Sequence, residues 1–505
     1  MATHTTLDGS PLAIQIAIEG YSLEAPGLRG TISEMSPGES ASRSDAGTLE
    51  PRLQEALRNA DIYSLKVFEI AVETVASTDD GVARSSGAVV TADGEPAMVL
   101  RSPFLGTETM QAVLYTDEAG TTRWIFPSRT GGAPDATRGG GQSVEFLLPL
   151  ASAQLPPRPG AQPGTRGPIT KLGRRLVHVL AWATGDIIGK GAVAAAQLWE
   201  NSRRPYLLRR FPFDDPAPLS WDQLSSGRAL LLIHGTFSTG PSTFGKLTYE
   251  TISALQTIYG HRIFAFDHPT LHHSPTENVK QLFALMPPHL NLEVDIVTHS
   301  RGGLVGRELT ERAPRYASEG KKIRVRRAIF VASPHRGTIL TDAKHGIKML
   351  DRYTNLFTDL PDDAFTITVE ALFMLAKLIY FGTAGGLPGL LSMFPPGEYL
   401  RDLNNRPDHE TIYYSIGADF RPVGSSLLAR FGWGIANAAA DGIFGEVNDA
   451  VVPTRGSYEL LTNVSGFPII PQRRMVLDRE SRIHHCNYFG SKNVTDQITK
   501  WLQGS

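Results

Sequence analysis

The C-terminal part of this chain is predicted to form an α/β domain around a mostly parallel sheet, on three observations. Short, continuous apolar runs such as Ala229-Leu230-Leu231-Leu232-Ile233 and Ala328-Ile329-Phe330-Val331-Ala332 end abruptly in polar or glycine-containing turns, as strands buried on both faces do. One run, Val294-Asp295-Ile296-Val297, enters a turn with a serine at its apex and leaves it in the helix-like stretch Leu304-Val305-Gly306-Arg307-Glu308-Leu309. Finally, a serine, an aspartate and a histidine able to act together follow one another along the chain in that order.

The elements are taken in chain order. The Ala229 run stops at His234-Gly235-Thr236, where a glycine turn lets the chain fold back and offer the Thr236 backbone N–H to a developing oxyanion. His234, beside that turn, is suited to hydrogen bonding within the loop rather than to proton transfer. The strand Arg262 to Phe266 ends at Asp267-His268. The histidines at 268, 272 and 273 lack both the i,i+4 pairing beside a glutamate and the cysteine spacing of a zinc site, so no metal is expected. Thr298-His299-Ser300-Arg301-Gly302-Gly303 reads as a nucleophile elbow, with Ser300 as nucleophile and the Arg301 N–H as the second oxyanion donor. Asp295, inside the strand leading there, is expected to be buried and paired or to lie at an edge.

The stretch 339–403 is too long for a simple connection and is read as a helical cap. A strand at Thr411-Ile412-Tyr413-Tyr414-Ser415-Ile416 follows, with Asp419 just past it, then a loop carrying Asn448-Asp449 and finally His484-His485-Cys486-Asn487-Tyr488. A serine hydroxyl is a poor nucleophile at neutral pH, so an imidazole must take its proton and a carboxylate must orient that imidazole. His485 or its neighbour His484, and Asp449 or Asp419, are the residues available.

Together, His234-Gly235, His299-Ser300-Arg301-Gly302-Gly303, Ser333-Pro334-His335-Arg336-Gly337-Thr338, Asn448-Asp449 with Val451-Val452-Pro453, and His485 with Asn487-Tyr488 resemble the lipase and esterase branch of the α/β-hydrolase superfamily. The resemblance covers residues 229–505. It implies an α/β-hydrolase fold with a mostly parallel central sheet and helical cap, a catalytic triad of Ser300, Asp449 and His485, and an oxyanion hole from Thr236 and Arg301. The pattern of histidine, one residue, then Asn-Tyr favours His485 as the base. Two departures stand out: Ala450 where glycine is usual, and Thr298 opening the elbow where glycine is commoner. The implied activity is hydrolysis of carboxylic esters of apolar acyl groups or lipids through an acyl-enzyme. An acyltransferase, thioesterase or phospholipase would use the same triad, and a non-catalytic binding or scaffold protein is the alternative of another class. No cofactor is implied.

Composition bounds the remainder. With 505 residues, 41% of them hydrophobic and 20% charged, the chain suits two or more globular domains and not a disordered or fibrous protein. A net charge of −2 gives no bulk attraction to nucleic acid or to an anionic membrane. One cysteine, Cys486, excludes an intramolecular disulfide. The start of the chain has no basic stretch, and Gln15 interrupts its apolar run, so cytoplasmic residence is expected. Residues 1–152 alternate in the manner of strands and predict a small β-rich domain. A Pro/Gly linker at 153–168 and an amphipathic helical connector at 169–220 then lead to the hydrolase-like domain at 221–505. The N-terminal region leaves open a peripheral-membrane or protein partner.

Overall fold

The computed structural model describes residues 4–10, 13–16, 20–26, 28–35, 57, 61–75, 89, 97–117, 122–130, 142–149, 174–183, 192–214, 219–338, 350, 351, 354, 376, 387–395, 397–405, 410–420, 446–460 and 466–504. The chain divides into two compact units: Met1–Gly189 with Leu350–Thr358 and Pro422–Ala438, and Lys190–Met349 with Asp359–Arg421 and Ala439–Ser505. Among the described residues no helix is long and apolar enough to cross a membrane.

The first unit is built from β1 (His4–Asp8), β2 (Ile14–Gln15), β3 (Ser22–Glu24), β4 (Leu28–Glu34), β5 (Tyr63–Val75), β6 (Ala97–Pro103), β7 (Thr109–Thr116), β8 (Thr122–Ile125), β9 (Arg129–Thr130), β10 (Ser143–Pro149) and β11 (Arg174–Ala183). They form two antiparallel sheets, ordered β1-β4-β5-β11-β7-β8 and β2-β3-β6-β10-β9. Alternate residues of each sheet, Phe68, Ile70, Val72, Val177 and Val179 from one and Met98, Leu100, Phe146 and Leu148 from the other, meet in a shared core.

Strand β11 corrects the expected helical connector. Leu176-Val177-His178-Val179-Leu180-Ala181-Trp182 is a short apolar run whose period does not separate helix from strand. Its place between β5 and β7, paired antiparallel to both, makes it a central strand. Among the described residues of this segment, helix is found at α1 (Ala192–Arg203). The Pro/Gly linker at 153–168 lies outside the described residues.

The second unit continues with β12 (Leu207–Arg210), α2 (Trp221–Ser225), β13 (Ala229–Ile233), α3 (Gly240–Phe244), α4 (Tyr249–Tyr259), β14 (Ile263–Asp267), α5 (Pro275–Leu285), β15 (Asn291–His299), α6 (Gly302–Arg312), β16 (Lys322–Val331), α7 (Pro388–Leu391), α8 (Glu398–Asn404), β17 (Ile412–Ala418), β18 (Arg474–Leu477) and α9 (Lys492–Gln503). The sheet runs β12-β14-β13-β15-β16-β17-β18, parallel throughout except for β12. Of the expected cap, the described residues include α7 and α8; most of 339–386 lies outside them.

β13 is continuously apolar because it is covered on both faces. Leu230 and Leu232 pack with Leu255, Tyr259, Val494 and Ile498 from α4 and α9, while Leu231 and Ile233 pack with Val279, Leu282, Val305 and Leu309 from α5 and α6. The helices begin where side chains satisfy their first amides: Thr248 Oγ1 accepts from Thr251 N, and Ser274 Oγ accepts from Glu277 N with Pro275 in the first turn.

Asp295 is buried in β15. Its Oδ2 accepts from Tyr259 Oη at 2.5 Å and pairs with Arg228 at 3.1 Å and Arg327 at 3.4 Å. Asp295→Ala strands a buried phenol and unpairs two partly exposed guanidinium groups. Urea denaturation should show a loss of about 2–4 kcal/mol.

Candidate active site

The site lies where the order of the parallel strands reverses. β13 pairs with β14 on one side and β15 on the other, and such a switch point opens a crevice beyond the carboxyl ends of the strands. Ser300 follows β15 directly, with φ of 52°. A serine in the left-handed region is strained, and here the strain is held by the turn itself. The Ser300 N–H donates to Val331 O at 2.9 Å, and the Gly303 N–H donates to Ser300 O at 2.9 Å.

Two glycines allow the turn after β13 to lie against this elbow. A Cβ on Gly302 would stand 2.4 Å from His234 O and 2.5 Å from Ile233 O, and one on Gly235 would stand 2.6 Å from Ser300 Cβ. Neither position admits a side chain. The backbone amides of Thr236 and Arg301 are therefore carried by two turns in direct contact, each one residue past a residue of that contact.

Ser300, His485 and Asp449, from three separate segments, come together. The Ser300 hydroxyl lies 2.9 Å from His485 Nε2 and donates to it; His485 Nδ1–H donates to Asp449 Oδ2, also at 2.9 Å. All three are at most 3% exposed. The loop carrying Asp449 is a tight turn: Asp449 Oδ1 accepts from Val451 N at 3.0 Å and Val452 N at 2.7 Å. Asp449 O accepts from His485 N at 3.0 Å, and Thr338 Oγ1 donates to Val451 O at 2.9 Å. Tyr488 Oη donates to Asp449 Oδ2 at 3.0 Å, giving that oxygen two donors. Burial pushes the Asp449 carboxyl up, but the hydrogen bond from His485 and the two amides outweigh it and hold the carboxyl below its usual range. Burial and the Asp449 charge push the Tyr488 phenol far up, so it stays a donor.

The rival residues lie elsewhere. His484 Nδ1 accepts from Cys486 N at 3.2 Å and its ring meets Phe420 edge-on. Burial pushes it down to about 4. Asp419 follows β17, its N–H bonded to Leu477 O at 2.8 Å. His234 Nε2 accepts from His268 N at 3.1 Å, so Nδ1 carries the proton and donates to Gly235 O at 2.9 Å. Burial lowers His234 to about 4.

Three contributors escape sequence reasoning. His299 Nε2 donates to His485 O at 2.8 Å and so holds the backbone of the histidine beside Ser300. The Arg301 guanidinium is buried and donates to Gly389 O at 2.9 Å, His273 O at 2.5 Å and Asn278 Oδ1 at 3.1 Å, tying α7 and α5 to the elbow. Glu200 of α1 is fully buried against Thr270, Leu271 and His272. His299 and Arg301 carry a signal in their places on either side of Ser300, and Glu200 carries none. Among the described residues no cluster of histidine, cysteine and carboxylates is arranged to hold a metal.

Ala450, in the turn directly after Asp449, has φ of 83°, which explains why glycine suits this position. An ordinary Ala→Gly change loses about 0.5–1 kcal/mol, whereas relief of the left-handed backbone returns about 1–2 kcal/mol. Ala450→Gly should therefore leave the protein as stable as the wild type or up to about 1 kcal/mol more stable by urea denaturation.

No curated protein matches the sequence. Among solved structures, the chain is similar to lipase 1 from Pelosinus fermentans (15% identity, 55% of this chain and 98% of that one, TM-score 0.35). It is also similar to a hydrolase from Oleispira antarctica (11%, 60% and 96%, TM-score 0.33) and to a metagenomic carboxyl esterase (15%, 58% and 80%, TM-score 0.28). Likenesses of this size say nothing about substrate. A family model covers residues 204–503, more than half of the chain and every residue of the Ser300, His485 and Asp449 constellation, and by it the protein belongs to the family described as Domain of unknown function (DUF7379).

Proposed function

We propose that this protein is a serine hydrolase that cleaves carboxylic esters of apolar acyl groups through an acyl-enzyme. The observation that carries the reading is the unbroken relay from the Ser300 hydroxyl to His485 Nε2 and from His485 Nδ1 to Asp449, with both distances at 2.9 Å. In the first half-reaction Ser300 Oγ attacks the ester carbonyl carbon while its proton passes to His485 Nε2. The carbonyl π electrons move to oxygen, which the N–H groups of Thr236 and Arg301 receive. Collapse breaks the bond to the alcohol oxygen, which takes the proton from His485 and leaves. Water then attacks the acyl carbon and gives a proton to His485. The bond to Ser300 Oγ breaks, the proton returns to that oxygen, and the carboxylic acid departs.

The preference for apolar acyl groups is supported by the segment around α7. It brings Met393 Sδ to 3.9 Å from Thr236 Oγ1, and Leu387 and Leu390 of the same segment are buried. An acceptor other than water in the second half-reaction would make the same machinery a transferase.

A series of p-nitrophenyl esters from short to long acyl chains tests the reading. Ser300→Ala and His485→Ala should lower kcat/KM by roughly 10³-fold or more, while His484→Ala stays within about threefold of wild type. An active Ser300→Ala protein overturns the assignment.

A further inference from the structure

The oxyanion donor at Thr236 belongs to the peptide joining it to Gly235, and that peptide is held from both ends. At one end Gly235 O accepts from His234 Nδ1 at 2.9 Å and from Ser238 Oγ at 3.0 Å. At the other, the next peptide turns through Phe237, a buried non-glycine residue at φ of 61°, whose N–H donates to Thr270 Oγ1 at 3.3 Å. A phenylalanine in the left-handed region keeps that conformation only if its surroundings impose it.

What imposes it lies upstream of the region that the family model covers. Glu200 of α1 is fully buried, and its carboxylate gathers three successive amides of the loop after β14. Oε1 accepts from Thr270 N at 2.8 Å, Leu271 N at 2.9 Å and Thr270 Oγ1 at 3.3 Å. Oε2 accepts from Leu271 N at 3.0 Å, His272 N at 3.0 Å and His272 Nδ1 at 2.5 Å. Burial pushes this carboxyl up, but the His272 hydrogen bond and the amides more than offset it, and the group stays below the usual carboxylate range. Because the Thr270 hydroxyl gives its one proton toward Glu200, its lone pair is turned to the Phe237 N–H. The same loop supplies His268 N, which bonds His234 Nε2 at 3.1 Å and so sets the tautomer that holds Gly235 O.

We infer that Thr270, oriented by the buried carboxylate of Glu200, is a positioning residue that aims the Thr236 N–H at the oxyanion, so that α1 is part of the catalytic apparatus. The inference rests on the serine-hydrolase reading given above.

The test uses the full-length protein and four variants: Thr270→Val, which keeps the shape and removes the hydroxyl; Thr270→Ser, which restores it; Glu200→Gln; and Ser300→Ala as control. On a p-nitrophenyl ester, Thr270→Val should lower kcat about tenfold or more with KM within about twofold, because an oxyanion contact acts in the transition state and not in the ground state. Thr270→Ser should recover kcat to within about threefold. An arylboronic acid, which forms an anionic tetrahedral adduct on the serine, should bind Thr270→Val more weakly by the same factor as the loss in kcat/KM, and Thr270→Ser as tightly as wild type. Glu200→Gln should show the same kcat loss, and it carries the test if Thr270→Val fails to fold by circular dichroism. Wild-type kcat in Thr270→Val beside an inactive Ser300→Ala overturns the inference and leaves the hydrolase reading standing. Equal losses in Thr270→Val and Thr270→Ser, with boronate affinity unchanged, reduce Thr270 to a packing role and overturn it as well. An active Ser300→Ala removes the reading on which it rests.

Discussion

Everything at the site follows from how closely the elbow approaches the end of β13. Two carbonyls of the β13 turn occupy the space where a Cβ of residue 302 would be, and Ser300 Cβ occupies the corresponding space at residue 235. Contact of this kind is possible only between backbones, so it fixes where the two turns can lie more strictly than side-chain packing does. The strained serine is the other half of the same constraint. Its conformation persists because β16 receives its amide through Val331 O and because α6 starts immediately beyond it. α6 is in turn anchored by buried charges: Arg307 pairs with Glu311 at 2.7 Å and donates to Asn404 of α8 at 2.7 Å, and Arg312 pairs with Glu308 at 3.2 Å. Rigid support along the helix keeps its first turn fixed next to Ser300.

How much of this can be read from sequence depends on the range of the interaction. The elbow is legible because its requirements are local: small residues beside Ser300, an apolar strand before it and a helix after it. β13 is legible for the same reason, since burial on both faces leaves an unbroken apolar run. The segment around Val177 and Val179 has that composition too, yet its strand identity comes from partners on β5 and β7 distant in sequence, and nothing inside the run reports them. His484 and His485 are likewise equivalent as letters; what separates them is which ring meets Asp449 and which meets Phe420. Glu200 illustrates the limit, because a lone glutamate on a helix ordinarily faces solvent. Its burial depends on three amides of a loop some seventy residues away, and those amides carry no sequence signal of their own.

The histidines show how environment sorts residues of one type into different tasks. His234 and His268 are buried and His299 is partly buried next to Ser300, and desolvation drives each down, His234 to about 4 and His299 to about 3. They are therefore neutral imidazoles at neutral pH, and a neutral ring has one donor and one acceptor to spend on structure. His234 bridges His268 N and Gly235 O, and His299 fixes the carbonyl of His485. Of the rings packed at Ser300, His485 is the one whose Nδ1–H meets the Asp449 carboxylate, so it alone has an anion placed to stabilise the charge it would acquire from Ser300. Uncharged neighbours would exert no like-charge repulsion on an imidazolium formed there. In the folded protein His234 and His299 are neutral hydrogen-bonding struts, one holding the turn after β13 and the other the backbone of His485.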